Sequence, residues 1–161
     1  MPKLDVRYIN PALRAIVTVM RELAGNEPHP GEAKVKDNNL ADGPITGLLN
    51  INSDLIRGSV AITFAEETAL NLSQIILGAR AAKVNGELAD MTAELANMIG
   101  ANTAGLLAEQ GGTYDISLPT VIIGLDHVIC HKPHGPTLLI PFTMEVGSFK
   151  VELCFENKTA P

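Results

Sequence analysis

Residues 85–109 read NGELADMTAELANMIGANTAGLLAE, and the reading of this stretch decides the rest. At about 100° per residue it sorts into two faces of one long helix. One stripe carries Leu88, Met91, Leu95, Met98, Ile99 and Leu106 and is expected to pack on a core. A second stripe carries Asp90, Glu94 and Asn97, followed by Ala101, Ala104 and Ala108. Solvated helix faces usually carry Lys, Glu and Gln along their length. Here two turns hold an acid, an acid and an amide, and the next turns hold only methyl groups. Such a surface lets another molecule approach closely, with Glu94 and Asn97 reaching into it. Spacing alone also admits a plainer account, in which Asp90 and Glu94 favour the N-terminal half of the helix through its dipole and Asn97 is a solvated amide. Asn102 falls in the apolar stripe and is expected to hydrogen-bond backbone within the core.

Upstream, Asn10 followed by Pro11 is expected to start a helix, as an amide cap with proline at the first helical position. Leu13, Ile16, Val17, Met20 and Leu23 follow at helical spacing, and Gly25 is placed to end it. Where the long helix has its polar stripe, this one offers Arg14, Thr18 and Arg21. The connector NEPHPG (26–31) is rich in turn residues. A short edge strand, EAKVK (32–36), is expected, broken by DNNLADGP (37–44). Residues 45–51 and 57–64 read as two strands joined through Asn52-Ser53-Asp54. In the second, Arg57, Ser59 and Ala61 alternate with Gly58, Val60 and Ile62, so one face should be buried more deeply than the other. A second helix is expected over residues 65–78, with Glu66 and Glu67 in its first turn and Leu72, Ile75 and Ile76 as its apolar stripe.

Gly111-Gly112 stops the long helix. Strands are then expected over 120–130, with a bulge at Gly124, and over 137–145 and 148–155, turning at Val146-Gly147. After Glu156 the chain should be loose. Hairpin-length connections imply antiparallel pairing. Three helices interleaved with strand groups imply an α+β fold, an antiparallel sheet with helices on one face.

The 161 residues fit a single domain. Apolar residues make up 46% and charged residues 19%, a globular balance. The net charge of −6 and the lack of a Lys/Arg cluster argue against nucleic acid and against an anionic membrane surface as partner. No apolar run approaches a membrane span. The N-terminal MPKLDVRYIN lacks the pattern of a signal peptide, so a cytoplasmic protein is expected, with Cys130 and Cys154 read as buried free thiols in preference to the alternative of a secretory pair.

His127, Cys130, His131 and His134 are metal-ligand types within eight residues. On a strand, however, His127, Ile129 and His131 face one side and Val128 and Cys130 the other. That splits the set, so no metal site is expected and the histidines are read as facing solvent. Phosphate-binding glycine loops and the G-x-S-x-G nucleophile motif are absent. A self-contained hydrolase needs a nucleophile or a metal, so the pattern favours a protein that completes another protein's active site.

The run D-x-x-x-E-x-x-N (Asp90, Glu94, Asn97) resembles the signature of the CheC/CheX/FliY phosphatases of bacterial chemotaxis. Pro119, 22 positions after the Asn, stands about where that family has a proline. VRYINPALRAIVTVM (6–20), GLLNINSDLIRGSVAITF (47–64) and the chain length extend the likeness over nearly the whole chain, and the single motif favours the CheX branch. The resemblance implies a CheC-like fold with an internal duplication, and one site per chain acting on the aspartyl-phosphate of a CheY-like response regulator. Asn97 would position the attacking water and Glu94 would pair with the regulator's active-site lysine. Asp90 would support the contact, and Ala101 and Ala104 would let the regulator close down. No cofactor of its own is implied; Mg²⁺ is expected on the phosphorylated partner, and a homodimer is expected. The alternatives are a non-catalytic receiver-binding module of the same fold, or a small-ligand module.

Overall fold

A computed structural model describes residues 4–158. Its elements run α1 (Val6–Ala24), β1 (His29–Pro30), β2 (Lys34–Val35), β3 (Ile45–Asn52), β4 (Ile56–Phe64), α2 (Glu66–Leu77), α3 (Gly86–Ala108), β5 (Asp115–Ile116), β6 (Thr120–Ile123), β7 (Leu138–Met144) and β8 (Gly147–Asn157). All strand pairs are antiparallel. They form one sheet in the order β1-β7-β8-β4-β3-β5, with β2 beside β7 and β6 beside β3. The three helices share one face of it, so the α+β expectation holds.

The period of two along the strands puts Ile45, Leu49 and Ile51 of β3, Val60, Ile62 and Phe64 of β4, and Phe149, Val151 and Leu153 of β8 into one apolar core under the helices. Phe142 and Phe149 stack there at 5.1 Å. Helix α3 lies unusually near β3. A Cβ on Gly47 would stand 3.0 Å from the Thr92 methyl and 3.1 Å from Ala96, and one on Gly100 would stand 2.8 Å from Leu49. Glycine at these two positions sets the height of α3 above the sheet.

Three expectations about the helices need correction. Helix α1 starts at Val6 and is capped by Asp5, whose carboxylate accepts from Arg7 N at 3.0 Å, so Asn10 is not the cap. Pro11 therefore sits inside the helix, where it cannot donate to the Arg7 carbonyl. Gln110, just past α3, donates its side-chain amide to that carbonyl at 3.0 Å. In α3, Leu107 is fully buried whereas Leu106 is half-buried. Asn102 is exposed and donates to its own helix, at the Met98 carbonyl, 2.8 Å away.

The strand expected over 120–130 ends at Ile123. Gly124 turns with φ 139°, and the chain leaves the edge as a strap across the face opposite the helices. Alternation survives in the strap, whose backbone pairs only through a single antiparallel bridge, Val128 to Leu40, among the described residues: Ile129 is buried and His127 and His131 are half-buried, while Val128 and Cys130 are exposed. Cys130 is thus an exposed thiol; Cys154 is buried, and burial pushes its pKa up. Because the strap covers the sheet, Ser59 and Ala61 are as buried as Val60 and Ile62, and β4 has no shallow face in its middle. Strand β8 carries on through Glu156 to Asn157, and Lys158 N donates to Leu55 O at 2.8 Å. Residues 159–161 of the expected loose tail lie outside the described residues.

Candidate functional site

Helix α3 begins at Asn85, whose side-chain oxygen accepts from Glu87 N at 3.1 Å and Leu88 N at 3.2 Å. This cap fixes the rotation of the first turns. Leu88, Met91, Leu95 and Ile99 point into the core, so Asp90, Glu94 and Asn97 must point out, and all three are exposed. Their spacing places them along one ridge. Among the described residues, none of the three side chains makes a hydrogen bond or an ion pair. Ala101 and Ala108 continue the ridge as exposed methyls, and Ala104 is half-buried. A Cβ at neighbouring Gly105 would meet open space.

The ridge has a different border on each side. Toward the C-terminal ends of α1 and α2 lies an open groove of about 510 Å³, lined by Leu23, Ile76, Leu77, Met91, Met98 and the flank of Glu94 among others. Sequence periodicity misses it because Leu23, Ile76, Met91 and Met98 read as filling the core stripes of their own helices, and Leu77 falls in no stripe. The signal available was the apolar end of each helix just before a stopping glycine, Gly25 or Gly78. Toward the other side is β6, which has β3 on one side and no strand on the other among the described residues.

The histidine-rich run is a different kind of place. His127 Nδ1 lies 2.7 Å from the Gly124 carbonyl, which only accepts, so Nδ1 carries the proton. In the neutral ring Nε2 then accepts from Thr46 at 2.6 Å, and Thr46 is 2.6 Å from Thr63. His131 Nε2 donates to Glu152 at 3.0 Å, and its Nδ1 is 2.7 Å from Ser59 Oγ. Lys36 Nζ closes the chain on Glu152 at 2.8 Å. His134 is exposed and engages Glu156 only through its backbone N–H. The two inner histidines thus face the sheet, against the expectation that they face solvent. Among the described residues no group of three or more His, Cys, Asp or Glu side chains is arranged to hold a metal. Ser, His and Glu stand in the order of a nucleophilic triad, yet Ser59 is wholly buried, out of reach of any substrate.

Comparison with known proteins fits this geometry. Residues 45–143 match the family described as chemotaxis phosphatase CheX. The CheY-P phosphatase CheX of Thermotoga maritima is 28% identical over 142 residues, 88% of this chain and 90% of that one. Among solved structures, a CheC-like superfamily protein from Shewanella sp. PV-4 superposes with a TM-score of 0.87 at 33% identity, over 95% of this chain and 99% of that one. A CheX of Borrelia burgdorferi, solved in complex with CheY, BeF₃ and Mg²⁺, shares the fold at a TM-score of 0.78 and 24% identity, over 96% and 99% of the two chains. With the family matching over more than half of its length, and with the sheet, the helices and the exposed α3 ridge in place, this chain belongs to the CheX family of chemotaxis phosphatases.

Proposed function

We propose that this chain hydrolyses the aspartyl-phosphate of a CheY-like response regulator by inserting the α3 ridge into the regulator's active site. The observation that carries the reading is the pair Glu94 and Asn97, one turn apart, exposed, and without partners among the described residues. The Thermotoga relative is a phosphatase of CheY-P, and a protein of the same fold binds CheY beside BeF₃, a stand-in for the phosphoryl group, with Mg²⁺. In our reading Mg²⁺ belongs to the regulator, and this chain brings no cofactor. The reaction takes place in bacterial chemotaxis or a related two-component pathway, in the cytoplasm.

The regulator already holds its phosphate and a lysine. What this chain adds is position. The Asn97 amide can donate to and accept from one water at once, and so hold it in line with the phosphorus. The water oxygen bonds to phosphorus, the bond to the aspartyl oxygen breaks, and carboxylate and inorganic phosphate leave. Side-chain amides orient water similarly in GTP hydrolysis, and positioning of a nucleophile lowers barriers by several kcal/mol. Glu94 pairs with the regulator's active-site lysine and fixes the ridge over the phosphate. Asp90 supports that contact, and Ala101 and Ala104 leave room for the regulator's surface. An acidic chain approaching an acidic phosphorylated site is repelled at long range, and this local pair offsets that repulsion.

The test is loss of the phosphoryl group from a phosphorylated CheY-type receiver in the presence of wild type, Glu94→Ala or Asn97→Ala. Wild type accelerates it. Each variant loses at least about 100-fold, roughly 2.7 kcal/mol of barrier. Full activity in both variants overturns the reading.

The chain also acts as a homodimer in our reading, paired through β6. That strand is an open edge, and residues 116–125 carry no charge to guard it. Leu118 and Leu125 beside it are 90% and 84% exposed. Ile123→Lys should turn a dimer into a monomer in sedimentation; a wild-type monomer overturns the pairing.

A further inference from the structure

We propose that the groove between α3 and the ends of α1 and α2 is a second docking contact for the receiver. It takes an apolar patch on the receiver's surface flanked by Lys or Arg. The inference rests on the reading above that the partner is a receiver, and it adds where the affinity and selectivity for one receiver come from.

The groove is continuous with the ridge, since Glu94 and Asp90 line it as well. A receiver whose lysine meets Glu94 is therefore brought to the edge of the groove. Its floor is apolar, formed by Leu23, Ile76, Leu77, Met91 and Met98. Leu77 and neighbouring Ile75 are each 46% exposed, at a helix end that stops in a left-handed Gly78. Methionine floors adapt to differing partners because their side chains are unbranched and polarizable.

The rim is acidic. Glu87, Asp90 and Glu94 line it, and among the described residues none of them has an ion-pair partner. Arg21 at the end of α1 is engaged with Glu27 at 3.4 Å, and Arg80 just after α2 with Glu67 at 2.9 Å. An apolar floor inside an unpaired acidic rim complements an apolar patch bordered by cations. A second copy of this chain fits poorly, because two-fold pairing of the groove sets acid against acid. A small ligand fits poorly as well, since the groove is open and has no buried polar group to orient one.

The test uses a CheY-type receiver loaded with BeF₃⁻ and Mg²⁺, titrated by calorimetry with wild type, Leu77→Asp and Glu87→Lys. Leu77 and Glu87 are surface positions, and a thermal melt checks that each variant folds. If Leu77→Asp fails to fold, Glu87→Lys decides. Each variant should weaken binding about tenfold or more. With the phosphorylated receiver, the loss should appear in KM rather than in kcat. The rim's contribution should shrink as salt is raised. Unchanged binding in the folded variants overturns the proposal, as does a fall in kcat at unchanged KM. A wild type that binds through the groove without hydrolysing leaves the docking contact standing and overturns the phosphatase reading. Hydrolysis by wild type that is indifferent to both variants does the reverse, and a wild type that binds no receiver overturns both.

Discussion

The chain has two clusters of chemically capable side chains, and they differ in whether their hydrogen bonds are made at home. On α3, Asp90, Glu94 and Asn97 stand in solvent with no partner among the described residues. On the opposite side of the sheet, Lys36, Glu152, His131 and Ser59 form a closed chain of contacts between 2.7 and 3.0 Å, and His127, Thr46 and Thr63 form a second. Buried polar groups must be paired, or each costs a kcal/mol or more. The strap's groups are paired, and they hold the strap to the sheet. Those of α3 need nothing from the fold, so they are free for another molecule. From sequence the acidic ridge is the candidate site, and the histidine run is set aside because strand alternation splits it. The structure supplies a different reason for the same order: His127 and His131 are already satisfied within the fold.

Four substitutions bear on this contrast. The largest effect on activity is expected at the ridge. Glu94→Ala and Asn97→Ala should cost about 100-fold in receiver dephosphorylation while unfolding free energy moves by no more than about 0.5 kcal/mol. A large loss of stability in chemical denaturation would mean that the ridge serves the fold after all. The strap should show the opposite signature. Glu152→Ala leaves the Lys36 ammonium, 6% exposed, without its partner and strands His131. It should destabilise the chain by about 3–5 kcal/mol, with activity per folded molecule unchanged. A folded variant with normal stability but no phosphatase activity would move the site to the other face. The smallest effect is expected at Gln110, which serves the carbonyl that Pro11 cannot. Gln110→Ala should cost about 1 kcal/mol in the same denaturation measurement. No change there would show that water serves that partly accessible carbonyl as well.

Legibility of the fold followed periodicity. The long helix, the β3–β4 and β7–β8 hairpins and the α+β class could be read because apolar residues repeat at 3.6 or at 2, and because Gly25, Gly78 and Gly111-Gly112 stop the helices where the pattern ends. The α1 start was misread because Pro11 is a strong local signal for a first helical turn. A glutamine about a hundred residues away makes its interior position tolerable, and no local window contains that residue. The strap was misread as a strand for a related reason. Residues 125–131 alternate as a strand does, and His127, Ile129 and His131 do face the sheet. They lie across its face, however, instead of pairing along its edge. Alternation reports which side chains turn inward and is silent about what supplies the backbone hydrogen bonds.

Helical spacing alone puts Asp90, Glu94 and Asn97 on one outward ridge, because the apolar stripe of Leu88, Met91 and Leu95 leaves them no other direction. The sequence also determines that the next turns of that ridge carry only methyl groups. The assembled fold was needed to show that the ridge has no partner among the described residues, that a groove opens beside it where α1 and α2 end, and that His127 and His131 are engaged within the fold. Those are statements about which distant groups meet. Hydrogen bonds such as Lys36 to Glu152, or Ser59 to His131, join residues far apart in the chain. Spacing within one element carries no information about them until the sheet has brought the elements together.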